Sequence, residues 1–369
     1  MQASKGKIMK NILVVFTTAF VPTGGLTTVM MNYFRAMEKD GLHIDFASTN
    51  DPPSDLLDEI KNQHSSYFKL PKRKLIPLYF FALKKLLKNY DIIHIHGNSS
   101  TSVIELLAAK AVGVKKRIVH NHTSKSEHPL LNQILHPLYK RCYTHAIACS
   151  NLAGQWLFDE GGFHILKNAI NIERFASMFV HRNEIRNSLN IASDDFVLGH
   201  IGKFLIMKNH IFIIRVFANL HQKNPKSKLL LVGDGPLRNE IENEIKQQNL
   251  SDSVILAGLR TDIPEMLAAM DAFIFPSLWE GLPLSVLEAQ ASGLPVFLSS
   301  NITNEVAASE QCFFMSLDNS AECWSKAIEE NTNTSQRKIS IQKNALSLTN
   351  AGFNIAKEVD DLRKIYLSD

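Results

Sequence analysis

AFIFPSLWEGLPLSVLEAQASGLPVFL, residues 272–298, decides the fold. Its first four residues, 272–275, are an unbroken apolar run short enough to be a buried strand. Pro276, Gly281 and Pro283 then interrupt any regular element, so residues 276–282 read as a loop at that strand's carboxyl end. Residues 283–292 carry helical spacing behind Pro283, a residue suited to a first helical turn because its missing N–H would be unpaired there anyway. Residues 294–298 are the next strand. Strand, loop, helix and strand in so short a length indicate a parallel sheet covered by helices.

The same rhythm extends in both directions. Upstream, 196–201, 228–232 and 254–257 read as strands, with helices predicted over 209–221, 236–248 and 263–270. Before residue 170 the pattern runs separately: strands at 11–16, 42–47, 91–96, 117–120 and 146–150, and a helix over 26–39 that Gly41 stops. The expectation is an α/β protein of two doubly wound, Rossmann-like domains, with residues 168–175 as the connection. No short-period repeat or long low-complexity segment interrupts them. Open sheets of this kind bind ligands beyond the carboxyl ends of their strands, so residues just after strands carry the functional argument.

The bulk composition fits. The 369 residues are 45% hydrophobic and 21% charged, enough for two cored domains. No apolar run approaches the roughly 20 residues that cross a bilayer. The opening MQASKGKIMKNILVVF lacks a small-residue cleavage site and reads as an approach to the first strand, not a signal peptide. Cys142, Cys149, Cys312 and Cys323 form no CxxC pair, which suggests reduced thiols and a cytoplasmic protein. The net charge of +4 is asymmetric: residues 1–170 hold 21 Lys and Arg against 12 Asp and Glu, residues 171–369 hold 19 against 24. A basic half suits an anionic membrane surface, and no nucleic-acid motif is present.

Four features carry chemistry. In the 276–288 segment the backbone N–H groups of Gly281, Leu282 and Leu284 face outward at a helix start, an anion site. Glu280 lies in the loop within reach of a sugar hydroxyl, and Glu288 on the helix can accept two hydrogen bonds from a ribose diol. The competing reading is an ordinary helix start with two solvated glutamates. In GKFLIMKNH, residues 202–210, Lys203 and Lys208 could neutralise a diphosphate, or be two surface lysines. In TGGLTT, residues 23–28, Gly24 and Gly25 precede a helix and permit close backbone approach, though Gly-Gly is also an ordinary turn. DIIHIHGN and RIVHNHTS place His94 with His96, and His120 with His122, on one strand face each. His96 and His122 sit at carboxyl ends, where acid–base or hydrogen-bonding roles arise; His94 and His120 read as satisfied core histidines. Neither pair has metal-site spacing or an acidic or Cys companion, so no metal is expected. The absence of Asp-x-Asp agrees with neutralisation by lysines and a helix dipole.

These residues resemble a known family. Glu280 and Glu288 match the E-x7-E motif of retaining GT-B glycosyltransferases, family GT4. VGDGPLRNEIE (232–242), AGLRTDIPEMLAAMDAFIFPS (257–277) and EGLPLSVLEAQASGLPV (280–296) resemble it almost continuously, and KNAINIERF (167–175) resembles its interdomain segment. The resemblance is strong over 167–310, weaker before, and points to the bacterial exopolysaccharide and capsule subgroup. It implies domains at 1–170 for the acceptor and 171–350 for the nucleotide-sugar, facing a central cleft, with a C-terminal helix (351–369) crossing back to the first.

By position the resemblance implies roles. Glu280 meets the donor sugar, Glu288 holds the ribose, and Lys203 and Lys208 hold the diphosphate, with Lys203 where arginine is usual. Gly24 and Gly25 approach the donor phosphates, His122 touches the donor sugar, and the backbone at Leu259 and Arg260 reads the base; His96 is assigned to the acceptor side from its place at a strand's carboxyl end, not from the resemblance. The implied reaction moves a sugar from a nucleotide diphosphate, by family preference UDP, to a saccharide hydroxyl with retained configuration. No cofactor beyond the nucleotide-sugar co-substrate is implied. Residues 69–90 combine lysines with exposed-looking aromatics, and residues 128–141 add a second apolar and basic stretch. They could rest on the inner face of the plasma membrane beside a lipid-linked acceptor, or be amphipathic helices packed on the sheet. A nucleotide-sugar 2-epimerase on this fold, and a non-catalytic nucleotide-sugar-binding scaffold, are the competing functions.

Overall fold

The computed structural model describes residues 9–22, 24–123, 129–158 and 161–368. Residues 1–8, Thr23, Ser124 and His128, which entered the sequence argument, lie outside them. The chain divides into two compact units: Met1–Ala169 with Ala356–Asp369, and Ile170–Ile355.

Among the described residues the first unit holds seven strands: β1 (Lys10–Phe16), β2 (Leu42–Ser48), β3 (Tyr67–Lys69), β4 (Ile92–His96), β5 (Lys116–Asn121), β6 (His145–Ala148) and β7 (His164–Ile165). They pair in the order β3-β2-β1-β4-β5-β6-β7, every pairing parallel. The central strands are buried apolar runs, such as Ile12–Phe16, because helices cover both faces. The last helix, Ile355–Leu367, completes this unit. Lys116 Nζ donates to the carbonyl of Ile365 (2.7 Å), and Arg363 donates to the carbonyls of Glu38 and Asp40 (3.0 and 3.2 Å).

The second unit holds β8 (Phe196–Ile201), β9 (Ser227–Val232), β10 (Val254–Gly258), β11 (Ala272–Phe275), β12 (Val296–Ser299) and β13 (Cys312–Met315), ordered β10-β9-β8-β11-β12-β13 and again all parallel. Leu198, Leu229, Leu231, Ile274 and Phe297 from the sheet pack with Ile213, Phe217 and Trp324 from the helices to make its core. Beside that core lies a buried ionic cluster. Asp271 accepts from Arg182 Nη2 (2.5 Å), Arg186 Nη2 (2.6 Å) and the Val197 N–H (2.8 Å), so its charge is paired and its oxygens are satisfied.

In both sheets the strand order reverses once, between β1 and β4 and between β8 and β11. The two neighbouring strands there send their connections to opposite faces, leaving a crevice at the carboxyl ends.

Candidate active site

In the second unit the loops leaving β8 and β11 meet at the switch point. The N–H of Leu278 donates to the carbonyl of Met207 (2.8 Å), and Asn209 Nδ2 donates to the carbonyl of Pro276 (3.3 Å). Lys208 and Glu280 come together between them. Lys208 Nζ is 2.6 Å from Glu280 Oε1, with side chains only 14% and 13% exposed. The contact is an ion pair outside hydrogen-bond geometry, since Oε1 is otherwise a buried acceptor without a hydrogen-bond donor. The same ammonium sits 4.5 Å from the centre of the Phe275 ring. Lys203 is not part of this pairing; its side chain is exposed.

The turn after β9 holds this loop in place. Phe204 N–H donates to the carbonyl of Asp234 (3.0 Å), and the Gly233 N–H donates to the carbonyl of Gly258 (2.8 Å). Gly233 has φ +144°, and a Cβ there would lie 2.1 Å from the Gly202 carbonyl oxygen. Only glycine fits, in conformation and in space.

The helix behind Glu280 runs Leu284–Ala291, with Pro283 as its N-cap, one residue later than the sequence predicts. Gly281 and Leu284 are half-buried and Leu282 is buried. Glu288 is 8% exposed, which excludes the solvated-glutamate reading for this residue. Its carboxylate accepts no hydrogen bond within the described residues, and burial lifts its pKa from 4.5 to about 7. The charge of Arg174, on the helix Ile172–Ser177 capped by Asn171, pulls it partly back. Arg174 belongs to the INIERF stretch, yet nothing in its spacing from Glu288 announces the encounter.

Leu259 follows β10 and is 62% exposed. Arg260 turns instead to Asp262, Nε to Oδ1 at 2.8 Å, at the start of the helix Ile263–Ala269. His200 and His210, which carried no expectation, are buried under the Lys208 loop, and burial lowers the pKa of both, His210 to about 4.

In the first unit Gly24 is the N-cap of the helix Gly25–Ala36, and Gly25 is exposed. Thr28 Oγ1 donates to the Gly24 carbonyl (3.1 Å). At the β1–β4 switch point the Thr17 N–H donates to the His96 carbonyl (3.1 Å). His96 Nδ1 and His122 Nε2 are 3.0 Å apart, so the two histidines assigned to strand ends do meet. His122 is half-buried, and its surroundings lower its pKa to about 4, with Asn168 pulling the other way. The expectation that His94 and His120 are satisfied core residues holds for burial but not for hydrogen bonding. His94 Nδ1 bonds the Tyr366 hydroxyl at 2.6 Å, whereas neither nitrogen of His120 has a partner within the described residues.

Chemically, the second unit offers a cation, a helix start and a buried carboxylate with unfilled acceptor capacity around one turn. That set can neutralise a diphosphate and bind a diol.

Known proteins bear on this arrangement. A model described as "Glycosyl transferases group 1" matches residues 181–346, and one described as "Glycosyltransferase Family 4" matches residues 23–174. EpsF of Bacillus subtilis (strain 168), which carries a glycosyltransferase name, is 31% identical over 360 residues, 93% of each chain. The UDP-Gal:alpha-D-GlcNAc-diphosphoundecaprenol alpha-1,3-galactosyltransferase of Escherichia coli is 30% identical over 305 residues, 78% of each. The capsular polysaccharide biosynthesis glycosyltransferase CapH of Staphylococcus aureus is 24% identical over 368 residues, 94% of this chain and 96% of its own. Among solved structures, Anabaena HepE in complex with UDP and glucose superposes with a TM-score of 0.79 at 18% identity, covering 97% of this chain and 99% of that one. Two parallel-sheet Rossmann-like units with these relatives make this chain a member of the group 1, family 4 glycosyltransferases, with the GT-B fold.

Proposed function

We propose that this enzyme transfers a sugar from a UDP-sugar to a hydroxyl of a lipid-linked saccharide in surface polysaccharide synthesis, retaining the anomeric configuration. The observation that carries the proposal is the Lys208–Glu280 pair at the β8–β11 switch point, beside the start of a helix that buries Glu288. The UDP bound in the HepE structure, the undecaprenol-linked acceptor of the Escherichia coli relative and the capsule role of CapH favour this donor, acceptor and pathway.

In this reading the diphosphate enters at Lys208 and the N–H groups around Gly281, Leu282 and Leu284, with Lys203 reaching it from the exposed side. Glu288 accepts the ribose hydroxyls, and the backbone at Leu259 and Arg260 lines the base. A diphosphate competes with Glu280 for the Lys208 ammonium and frees that carboxylate for a hydroxyl of the donor sugar. As the C1–O bond breaks, negative charge grows on the leaving phosphate, where Lys208 and the helix start stabilise it. The sugar becomes oxocarbenium-like, the acceptor oxygen attacks the same face, and its proton passes to the leaving phosphate oxygen. No metal is needed at the diphosphate. In the first unit, Gly24 and Gly25 offer an anion-binding turn and His122 touches the donor sugar; His96, assigned to the acceptor side from its place at a strand end, is 1% exposed and bears on that side only through its 3.0 Å contact with His122.

A membrane-bound acceptor suits two helices of the first unit. Ile76–Leu86 and Pro129–Lys140 both pack against Val103–Ala111. Tyr79, counted among the exposed-looking aromatics, is in fact buried and donates to Glu105 Oε1 at 2.8 Å, where Arg73 also binds (2.9 Å). The outer faces are apolar: Leu130 and Ile134 are each 74% exposed and Phe81 63%. Lys84, Lys85, Lys88, Lys140 and Arg141 accompany them, a combination fitted to the anionic inner face of the plasma membrane. No helix of the described residues is long and apolar enough to cross a membrane.

The proposal is tested by titrating UDP, GDP, ADP and CMP calorimetrically and by analysing products from UDP-sugars with and without a lipid-linked acceptor. Binding of UDP with acceptor-dependent transfer supports it. Acceptor-independent conversion of the nucleotide-sugar points to an epimerase, binding without turnover points to a scaffold, and no nucleotide binding at millimolar concentration removes the donor site.

A further inference from the structure

We propose that His94, His96 and His120, buried in the first unit, form a binding site for a zinc ion. One ring nitrogen from each of the three lies within 4.8 Å of the others. Sequence spacing argued against a metal because the histidines come in two short strand pairs. The sheet removes that objection: β4 and β5 are neighbours, and His96 stands directly opposite His120 in register. His94, two residues back on β4, shares their face. The ring centres are 4.4 Å (His94–His96), 4.9 Å (His96–His120) and 5.4 Å (His94–His120) apart.

The hydrogen bonds leave one open nitrogen on two of the rings and both on the third. His94 Nδ1 is engaged by the Tyr366 hydroxyl and His96 Nδ1 by His122 Nε2. His94 Nε2, His96 Nε2 and both nitrogens of His120 have no partner within the described residues. A neutral imidazole carries one donor and one acceptor, and leaving such groups unpaired in an apolar interior is costly. A cation that takes one lone pair from each ring removes most of that cost. The Tyr366 hydroxyl and His122 are the expected outer shell of such a site, since a partner on the second nitrogen fixes the ring and its tautomer.

The chemistry of the ligand set agrees. Zinc binds imidazole nitrogen through its lone pair, and each of the three rings has an open nitrogen to offer. Zinc–nitrogen bonds of about 2.1 Å in a tetrahedron place the nitrogens about 3.4 Å apart, so any pair closes in by at most about 1.4 Å on binding. Three neutral ligands leave the ion's charge uncompensated, which selects hydroxide or another anion as the fourth. Such an ion holds His96, and through it His122, in a fixed orientation. The inference goes beyond the proposed sugar transfer and touches it only through His96 and its contact with His122, so zinc binding stands or falls without it.

The test uses the full-length, untagged chain, stripped with a chelator and titrated with Zn²⁺ against a competing dye, then with Co²⁺ read by its visible absorption. The expected result is one Zn²⁺ per chain, an intense four-coordinate Co²⁺ spectrum, and affinity weakened about 100-fold or more in His120→Ala but unchanged in His164→Ala, a surface control. If His120→Ala does not fold, the Co²⁺ spectrum of the wild type alone decides. Absence of a stoichiometric zinc site, an octahedral Co²⁺ spectrum, or equal affinity in folded His120→Ala overturns the proposal.

Discussion

Lys208 and Glu280 lie in two loops more than seventy residues apart in sequence, yet Nζ and Oε1 approach to 2.6 Å at the point where the strand order of the second sheet reverses. The pair divides the work of the proposed site between a group that meets phosphate and one that meets sugar. Lys208→Met should weaken UDP binding about tenfold or more, about 1.4 kcal/mol. Glu280→Gln should keep nucleotide affinity within a few fold while kcat falls by about 10²–10³, the scale of losing one transition-state contact. Calorimetry and steady-state kinetics on both variants separate the roles; equal losses in affinity would merge them.

Glu288 makes the stability of the second unit depend on pH. Its carboxyl binds a proton more tightly in the folded chain, with a pKa of about 7 against 4.5, so its contribution is complete below pH 4.5 and is lost as pH rises through 7. The loss is roughly 3 kcal/mol when the group is fully ionised. Glu288→Gln should therefore match the wild type near pH 4.5 and exceed it by up to that amount at pH 8, while binding UDP more weakly. Urea unfolding of both proteins at the two pH values gives the comparison.

Asp271 is the acceptor that Arg182 and Arg186 share. Asp271→Ala leaves the buried Arg186 and the half-buried Arg182 guanidinium groups without their counter-charge, and should cost about 3–5 kcal/mol. The loss should appear in the unfolding of the second unit, with the first unit's transition unmoved.

Two glycines predict opposite outcomes. Gly233→Ala forces a Cβ against the Gly202 carbonyl at a φ of +144°, and should destabilise by about 2 kcal/mol or more while disturbing the Lys208 loop. At Gly25 nothing lies within 4 Å of an added Cβ, so Gly25→Ala should shift stability by less than about 1 kcal/mol. Thermal unfolding distinguishes them.

The apolar helix faces predict membrane behaviour. Phe81→Glu with Ile134→Glu should abolish flotation with anionic vesicles and leave the melting temperature unchanged, because both side chains are exposed. Flotation equal to the wild type would remove the membrane from the proposed function.

Much of this was legible before any coordinates. The alternation of apolar runs and helical spacing placed β8 and β11 at their observed bounds and put the Lys208 and Glu280 loops at strand ends. The edge strands Tyr67–Lys69 and His164–Ile165 were missed because two or three residues carry too little pattern to register. Buried charge was invisible for a different reason: Arg186, Asp271 and Glu288 look like surface residues in a string of letters, and only packing shows that water does not reach them. Arg174 beside Glu288, and the open nitrogens of His120, depend on contacts between distant segments that no local spacing encodes.

The final helix sets an order of events during synthesis. Tyr366, which bonds His94, and Ile365, whose carbonyl binds Lys116, leave the ribosome only after all of Ile170–Ile355 has done so. The unit begun first is therefore finished last: Ile170–Ile355 has its whole sequence available while the first sheet still lacks its closing helix. At about 5–20 residues per second the delay for the last helix is about a second. Through that interval the nascent chain carries a complete second unit and an open first one.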